Sequence, residues 1–196
     1  MSARFGKPWL AFVLVFFAVA CAELRYSQLS PEAKDFHPKK VLVLPAEVAA
    51  YGEARGVIEG IVGTILTDQD WFTEVIAGAA LEKRMTGNEE LRKAVTAYTA
   101  KLHSLSFSDP EASKRIAALS GADALLAVNV DMWNYAREKD DKFAKVGLGM
   151  RLINAGSGAI VWKAGDLAID QYRVIKPDLP DVARGLAKKI IGYMPH

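Results

Sequence analysis

Cysteine occurs once in the 196 residues, at position 21, and histidine three times, at positions 37, 103 and 196. One thiol cannot form an intrachain disulfide framework, and His37, His103 and His196 have no spacing that assembles a ligand set or sets a base beside a nucleophile. Long apolar runs are scarce as well. The only candidate, Trp9 to Ala22, is shorter than the ~20 residues that cross ~30 Å of hydrocarbon, which speaks against a permanent transmembrane helix. No long internal repeat or low-complexity block is present.

What the chain does have begins at its start. Arg4 and Lys7 precede the apolar stretch Trp9 to Phe17, and the small residues Ala18-Val19-Ala20 lead directly into Cys21. Basic, apolar and small segments in that order make a secretory signal peptide over residues 1–20. A cysteine directly after the small residues resembles the lipobox of bacterial lipoproteins, with Ala18 where leucine is usual. That resemblance implies cleavage before Cys21, acylation of its thiol with chains such as palmitate, and anchoring in a membrane by several acyl chains at once. Ala22 in place of Asp implies, by similarity to enterobacterial sorting, the periplasmic face of the outer membrane. Loss of Arg4 and Lys7 leaves 23 basic against 23 acidic residues, so the mature chain is neutral and carries no electrostatic footprint for nucleic acid.

Residues 21–39 are polar and interrupted by Pro31 and Pro38, which predicts an extended tether between lipid and domain. Residues 40–196 are long enough for a single domain with its own apolar core. Val41 to Leu44 predicts a strand buried on both faces, and Val57, Ile58, Ile61, Val62, Ile65 and Leu66 predict an amphipathic helix against it. Gly56, Gly60 and Gly63 within that segment predict close backbone approach to the sheet, because they lie inside the helix and not in a preceding phosphate-binding turn. Trp71 to Ile76 predicts a second, parallel strand. Two helices are expected next, one through Leu91, Val95, Tyr98, Leu102 and Leu105, the other from Asp109-Pro110 to Gly121. Three alternating strands follow, with Leu126, Val128, Val130 and Met132 on one face of the first, and Val146, Leu148, Met150 and Leu152 alternating in the second. Lys145, Gly147, Gly149 and Arg151 are expected on a solvated or partner-facing side. A helix after Pro177 closes the chain. The expected fold class is therefore α/β, a two- or three-layer mixed sheet with a parallel strand-helix-strand start, a C-terminal antiparallel meander, and helices packed on the sheet.

Candidate chemistry is sparse. Asp140 and Asp141 form a pair, but between lysines in a hairpin turn, where solvated charge is the ordinary content. Asp123, Asp131, Asp166 and Asp170 are scattered through the meander without a spacing that proposes acid/base or metal work. Trp71, Trp133 and Trp162 read as core or sheet-edge residues. No catalytic, cofactor-binding or metal-binding residue is assigned. Cys21, as the lipidation site, is the sole functional residue expected.

Several strings carry a family likeness: Lys40-Val-Leu-Val-Leu-Pro45, Gly121-Ala-Asp-Ala-Leu-Leu126, and Leu152-Ile-Asn-Ala-Gly-Ser-Gly-Ala-Ile-Val-Trp162. Across about residues 40 to 192 they resemble the superfamily of envelope lipoproteins related to the curli secretion-channel lipoprotein, the penicillin-binding-protein activator lipoprotein and the amino-terminal domain of the Tol propeller protein. Asn154 stands for the usual Asp and Ser157 for Thr. The resemblance implies a non-enzymatic accessory or scaffold that contacts another envelope protein or itself. It implies no pore, because no additional hairpin pair of membrane-spanning length exists. Two other roles are open: a transport-auxiliary lipoprotein that binds a small ligand or lipid, and an activator of a peptidoglycan synthase. The second role is limited by a tether that reaches only ~65 Å when fully extended.

Overall fold

The computed structural model describes residues 23–105 and 107–196, so the signal peptide and Cys21 lie outside the described residues. Six strands form one mixed sheet: β1 Tyr26–Leu29, β2 Lys40–Val43, β3 Glu74–Ile76, β4 Ala124–Glu138, β5 Asp141–Asn154 and β6 Ile160–Tyr172. Their spatial order is β1-β6-β5-β4-β2-β3. β2 pairs in parallel with both β3 and β4, whereas β4-β5-β6-β1 is antiparallel throughout.

Helix α1 (Val57–Asp68) connects β2 to β3. Three helices, α2 (Gly78–Gly87), α3 (Glu89–Leu105) and α4 (Pro110–Ser120), connect β3 back to β4, and α5 (Leu179–Ile191) follows β6. The alternation of the strands divides the core. Val41, Val43, Leu126, Val128, Val146, Leu148, Met150 and Leu152 face α1 and α5, while Leu42, Leu44, Leu125, Ala127 and Ile153 face α2, α3 and α4. After the exposed Lys40, β2 is buried on both faces because two helical layers sandwich it, and this is why Val41 to Val43 are uniformly apolar. The parallel half thus has three layers and most of the meander two.

Four details depart from the sequence-based expectations. Two helices were expected between β3 and β4, and three are present. Only Leu81 of α2 is fully buried, so that helix has almost no apolar period to read. Met132 was expected to face inward with Val130, but a bulge between Val130 and Met132 turns the strand over and puts Trp133 inside instead. Gly147 and Gly149 are buried, not solvated: a Cβ on Gly149 would lie 2.5 Å from the Asn129 amide, and one on Gly147 would lie 3.3 Å from Met132.

The fourth departure concerns residues 21–39, expected as a tether. Tyr26 to Leu29 pair with Gly165 to Trp162 as the edge strand β1, and a 3-10 turn follows at Pro31–Asp35, capped by the Ser30 hydroxyl. Leu24 and Ala33 are buried in the core cluster that also holds the inward residues of α1 and α5. A strand of four residues that pairs through its backbone at a sheet edge leaves no hydrophobic period, so its sequence is indistinguishable from a polar linker.

Candidate interaction surface

The glycines of α1 explain how the parallel half closes. Gly56 is the N-cap with φ of 77°, and its N–H donates to the Glu59 carboxylate at 2.7 Å. Glu59, only 7% exposed, also accepts from Ala46 N–H at 3.0 Å, so one carboxylate ties the loop after β2 to the first turn of α1. A Cβ on Gly63 would meet Ala77 Cβ at 2.6 Å. The close approach is therefore to the turn between β3 and α2. Glu59 was not singled out from sequence, although Gly56-x-x-Glu59 has capping-box spacing. Beside it, a cleft of about 560 Å³ opens at the carboxyl ends of β2 and β3, lined by Val43, Pro45, Leu81, Met85, Arg55 and Glu59.

The residues of the family-like strings build turns and joints. Asp123 accepts from the N–H groups of Lys39 and Lys40, each at 2.9 Å, and fastens the start of β2 to that of β4. Asn154 accepts from Gly156 and Ser157 N–H at 2.9 and 3.2 Å, shaping the turn between β5 and β6. Gly158, at φ of 75°, packs so tightly on α4 that a Cβ would lie 2.6 Å from Pro110 Cα.

The other aspartates stay apart. Asp141 accepts from the Gln171 amide at 2.7 Å and Asp131 from the Asn129 amide at 2.6 Å. Asp166 pairs with Lys189 at 2.6 Å. Burial alone would raise the Asp166 carboxyl, but Lys189 and the N–H groups of Leu167 and Arg25 hold it below the ordinary carboxylate range. Two histidines do meet: His37 Nδ1–H donates to the His196 backbone oxygen at 3.2 Å, and the His196 ring stacks on Trp71 at 3.9 Å. His103 pairs separately with Glu47 at 2.6 Å. Among the described residues no group of three or more His, Cys, Asp or Glu could hold a metal ion. Trp133 and Trp162 are core residues, and Trp71 is partly buried.

What the fold leaves open is the outer part of the meander. On the face away from α5, the Tyr26 ring lies against Gly165, and Asn129 covers Gly149. Burial, then the neighbouring Asp131 carboxylate, push the Tyr26 phenol above its ordinary value. All four residues of β1 are exposed, with Leu29 at 61%. The two sheet edges are unlike. β3 is three residues long and guarded by Glu74, which pairs with Lys40 at 3.5 Å and with Arg84. β1 has no proline and no charged residue of its own among Tyr26-Ser-Gln-Leu29.

Sheet order and helix placement define an open mixed α/β fold, the fold class that the sequence and its resemblance to envelope lipoproteins imply. Solved structures share it. The PelC dodecamer from Paraburkholderia phytofirmans superposes with a TM-score of 0.55 at 20% identity, covering 85% of this chain and 92% of that one. Lipoprotein GNA1162 from Neisseria meningitidis superposes with a TM-score of 0.54 at 16% identity, covering 74% and 91%. No family model and no curated protein sequence matches the chain.

Proposed function

We propose that this chain is an envelope lipoprotein, anchored through Cys21 on the periplasmic face of the outer membrane, that works as a non-enzymatic scaffold by associating with copies of itself. The unguarded β1 edge carries this reading. An exposed strand with free N–H and C=O groups is a template for pairing, and soluble proteins ordinarily blunt it with lysine, proline or a bulge. β3 is blunted and β1 is not. A solved dodecamer of the same fold supports closed assembly as an outcome open to this architecture.

The test is the mass of the mature, lipidated chain in mild detergent, measured by light scattering after size-exclusion chromatography. An assembly of several copies is expected, reduced to monomer by Ser27→Lys with Leu29→Lys, both exposed β1 positions. A wild-type chain that stays monomeric throughout the micromolar range refutes the proposal.

A second reading, a transport-auxiliary lipoprotein that takes a small ligand or lipid, is favoured by the cleft beside Glu59. Its size falls within the ~300–1,000 Å³ of small-molecule sites. It lies where connections leave β2 and β3 for opposite faces, the usual ligand position in open α/β sheets. Native mass spectrometry of the detergent-released chain separates the two readings: a retained small molecule supports the carrier, bare protein the scaffold. An activator of a peptidoglycan synthase is less well served, because β1 uses up most of the expected tether.

A further inference from the structure

The pairing of β1 sets the direction in which the chain runs back toward the proposed lipid anchor. β1 runs antiparallel to β6 with Tyr26 opposite Gly165, so the chain before Tyr26 heads toward the carboxyl end of β6. Leu24, two residues before Tyr26, is buried. Three residues separate Cys21 from Leu24 in the sequence, a covalent reach of ~10 Å. The chain leading back toward Cys21 therefore leaves the sheet in the direction in which β6 finishes and the β4–β5 hairpin turns, since Lys142 pairs with Tyr172 there.

The same end carries the two most exposed large apolar residues described, Val174 at 92% and Ile175 at 84%. Scattered apolar residues on a surface are ordinary, but adjacent branched side chains held almost wholly in solvent are not. Arg173 and Lys176 bracket them, and both are exposed. The exit of the loop is fixed: the Tyr135 hydroxyl donates to Pro177 O at 2.8 Å, and Lys176 Nζ lies 3.4 Å from the centre of the Tyr135 ring. A fixed loop with an apolar tip and cationic shoulders has the chemistry of an interfacial membrane contact.

We propose that Val174 and Ile175 insert into a phospholipid bilayer bearing anionic headgroups, with Arg173 and Lys176 at the headgroup level, so that the domain sits hairpin-down on the membrane that holds its lipid. This rests on anchoring at Cys21. The two contacts act together, because a surface already held at the bilayer meets it at a high effective concentration.

The test uses the mature lipidated chain in vesicles of phosphatidylethanolamine and phosphatidylglycerol whose acyl chains are brominated. Val174→Trp is compared with Lys114→Trp on α4, whose first residue packs on the turn at the opposite end of the sheet, with the wild type as baseline. Strong quenching of the added indole at 174 and none at 114 is expected; equal quenching overturns the proposal. Val174→Glu with Ile175→Glu alters only exposed side chains and should leave the melting temperature unchanged, while speeding transfer of the lipidated chain between vesicles roughly tenfold or more. An unchanged transfer rate overturns the proposal. Intact mass separates the two readings: a vesicle-added chain with no acyl mass on Cys21 refutes anchor and docking together, whereas an acylated chain with an unquenched indole at 174 refutes docking alone.

Discussion

Gly158→Ala should destabilise the protein far more than one methyl group suggests. The residue ends the turn between β5 and β6 at φ of 75°, a left-handed conformation that costs a side-chain-bearing residue about 1–2 kcal/mol. A second cost is steric. The new Cβ would lie 2.6 Å from Pro110 Cα, 3.0 Å from its Cβ and 3.1 Å from its nitrogen. None of these is the far end of a flexible side chain. Pro110 is the first residue of α4, whose N-cap Asp109 accepts from Glu111 and Ala112 N–H, both at 3.1 Å, so the helix cannot retreat without loosening its cap. Overpacking of this kind costs about 1–3 kcal/mol. The two together give about 2–5 kcal/mol, or a fall in melting temperature of about 5–15 °C for a chain of this length. Circular dichroism of the mature chain measures it. Gly87→Ala is the paired control, since its Cβ would meet nothing within 4 Å and its φ is ordinary. A drop below about 1 kcal/mol for Gly158→Ala, or equal effects in the pair, would show that turn and helix do not pack as described.

Three further outcomes follow from polar side chains that tie one element to another. Glu59→Gln replaces one of the two acceptor oxygens with an NH2 that faces Ala46 or Gly56 N–H, so a loss of about 2–3 kcal/mol is expected in urea unfolding; a neutral result would remove Glu59 from the joint. Lys189→Met should cost about 1–2 kcal/mol at neutral pH, discounted for the partial exposure of the lysine. The Asp166 carboxyl titrates lower in the folded than in the unfolded chain, so the pair stabilises above the ordinary carboxylate pKa and loses that stabilisation as pH falls through the folded value. Stability curves of wild type and Lys189→Met should therefore converge in acid, and parallel curves would refute the linkage. Asp123→Ala frees the N–H groups of Lys39 and Lys40 and should speed hydrogen exchange across β2 more than across β5, which uniform exchange would contradict.

Much of the fold was legible because burial on two faces and on one face leave different signatures. β2 could be read from Val41-Leu-Val-Leu44, and the inward face of β5 from Val146, Leu148, Met150 and Leu152. The bulge at Asp131 was not legible: nothing in Val130-Asp-Met-Trp133 marks the residue at which a strand turns over, and only the partner strand settles the register. β1 escaped for a related reason, since its ties to β6 are main-chain hydrogen bonds that any sequence can make. The surface near Val174 was equally hidden, because an exposed Val-Ile pair reads in sequence like the last turn of a strand. Cys21 stands out in the sequence because a lipobox resemblance is a local pattern, whereas Glu59 drew no notice because its worth depends on a loop thirteen residues away.

The pairing of β1 also constrains how copies can assemble. With Leu24 buried, the covalent reach from the domain to Cys21 is ~10 Å, against the ~65 Å of a fully extended 21–39 segment. On the proposed anchoring through Cys21, every copy keeps Leu24 within about that distance of one membrane plane, on the side toward its hairpin end. If two β1 edges paired with each other in antiparallel fashion, the two-fold axis would have to stand perpendicular to the membrane for both lipids to lie in it. An axis perpendicular to β1 and lying in the bilayer plane would send one hairpin end away from its lipid. A contact between β1 of one copy and a different surface of the next carries no such restriction, and repeated about an axis normal to the membrane it closes a ring with all hairpin ends down. The short anchor therefore favours head-to-tail assembly over edge-to-edge pairing. Crosslinking discriminates the two: a photoreactive residue at Leu29 should capture a non-β1 segment of its neighbour, and capture of Leu29 by Leu29 would establish the two-fold contact instead.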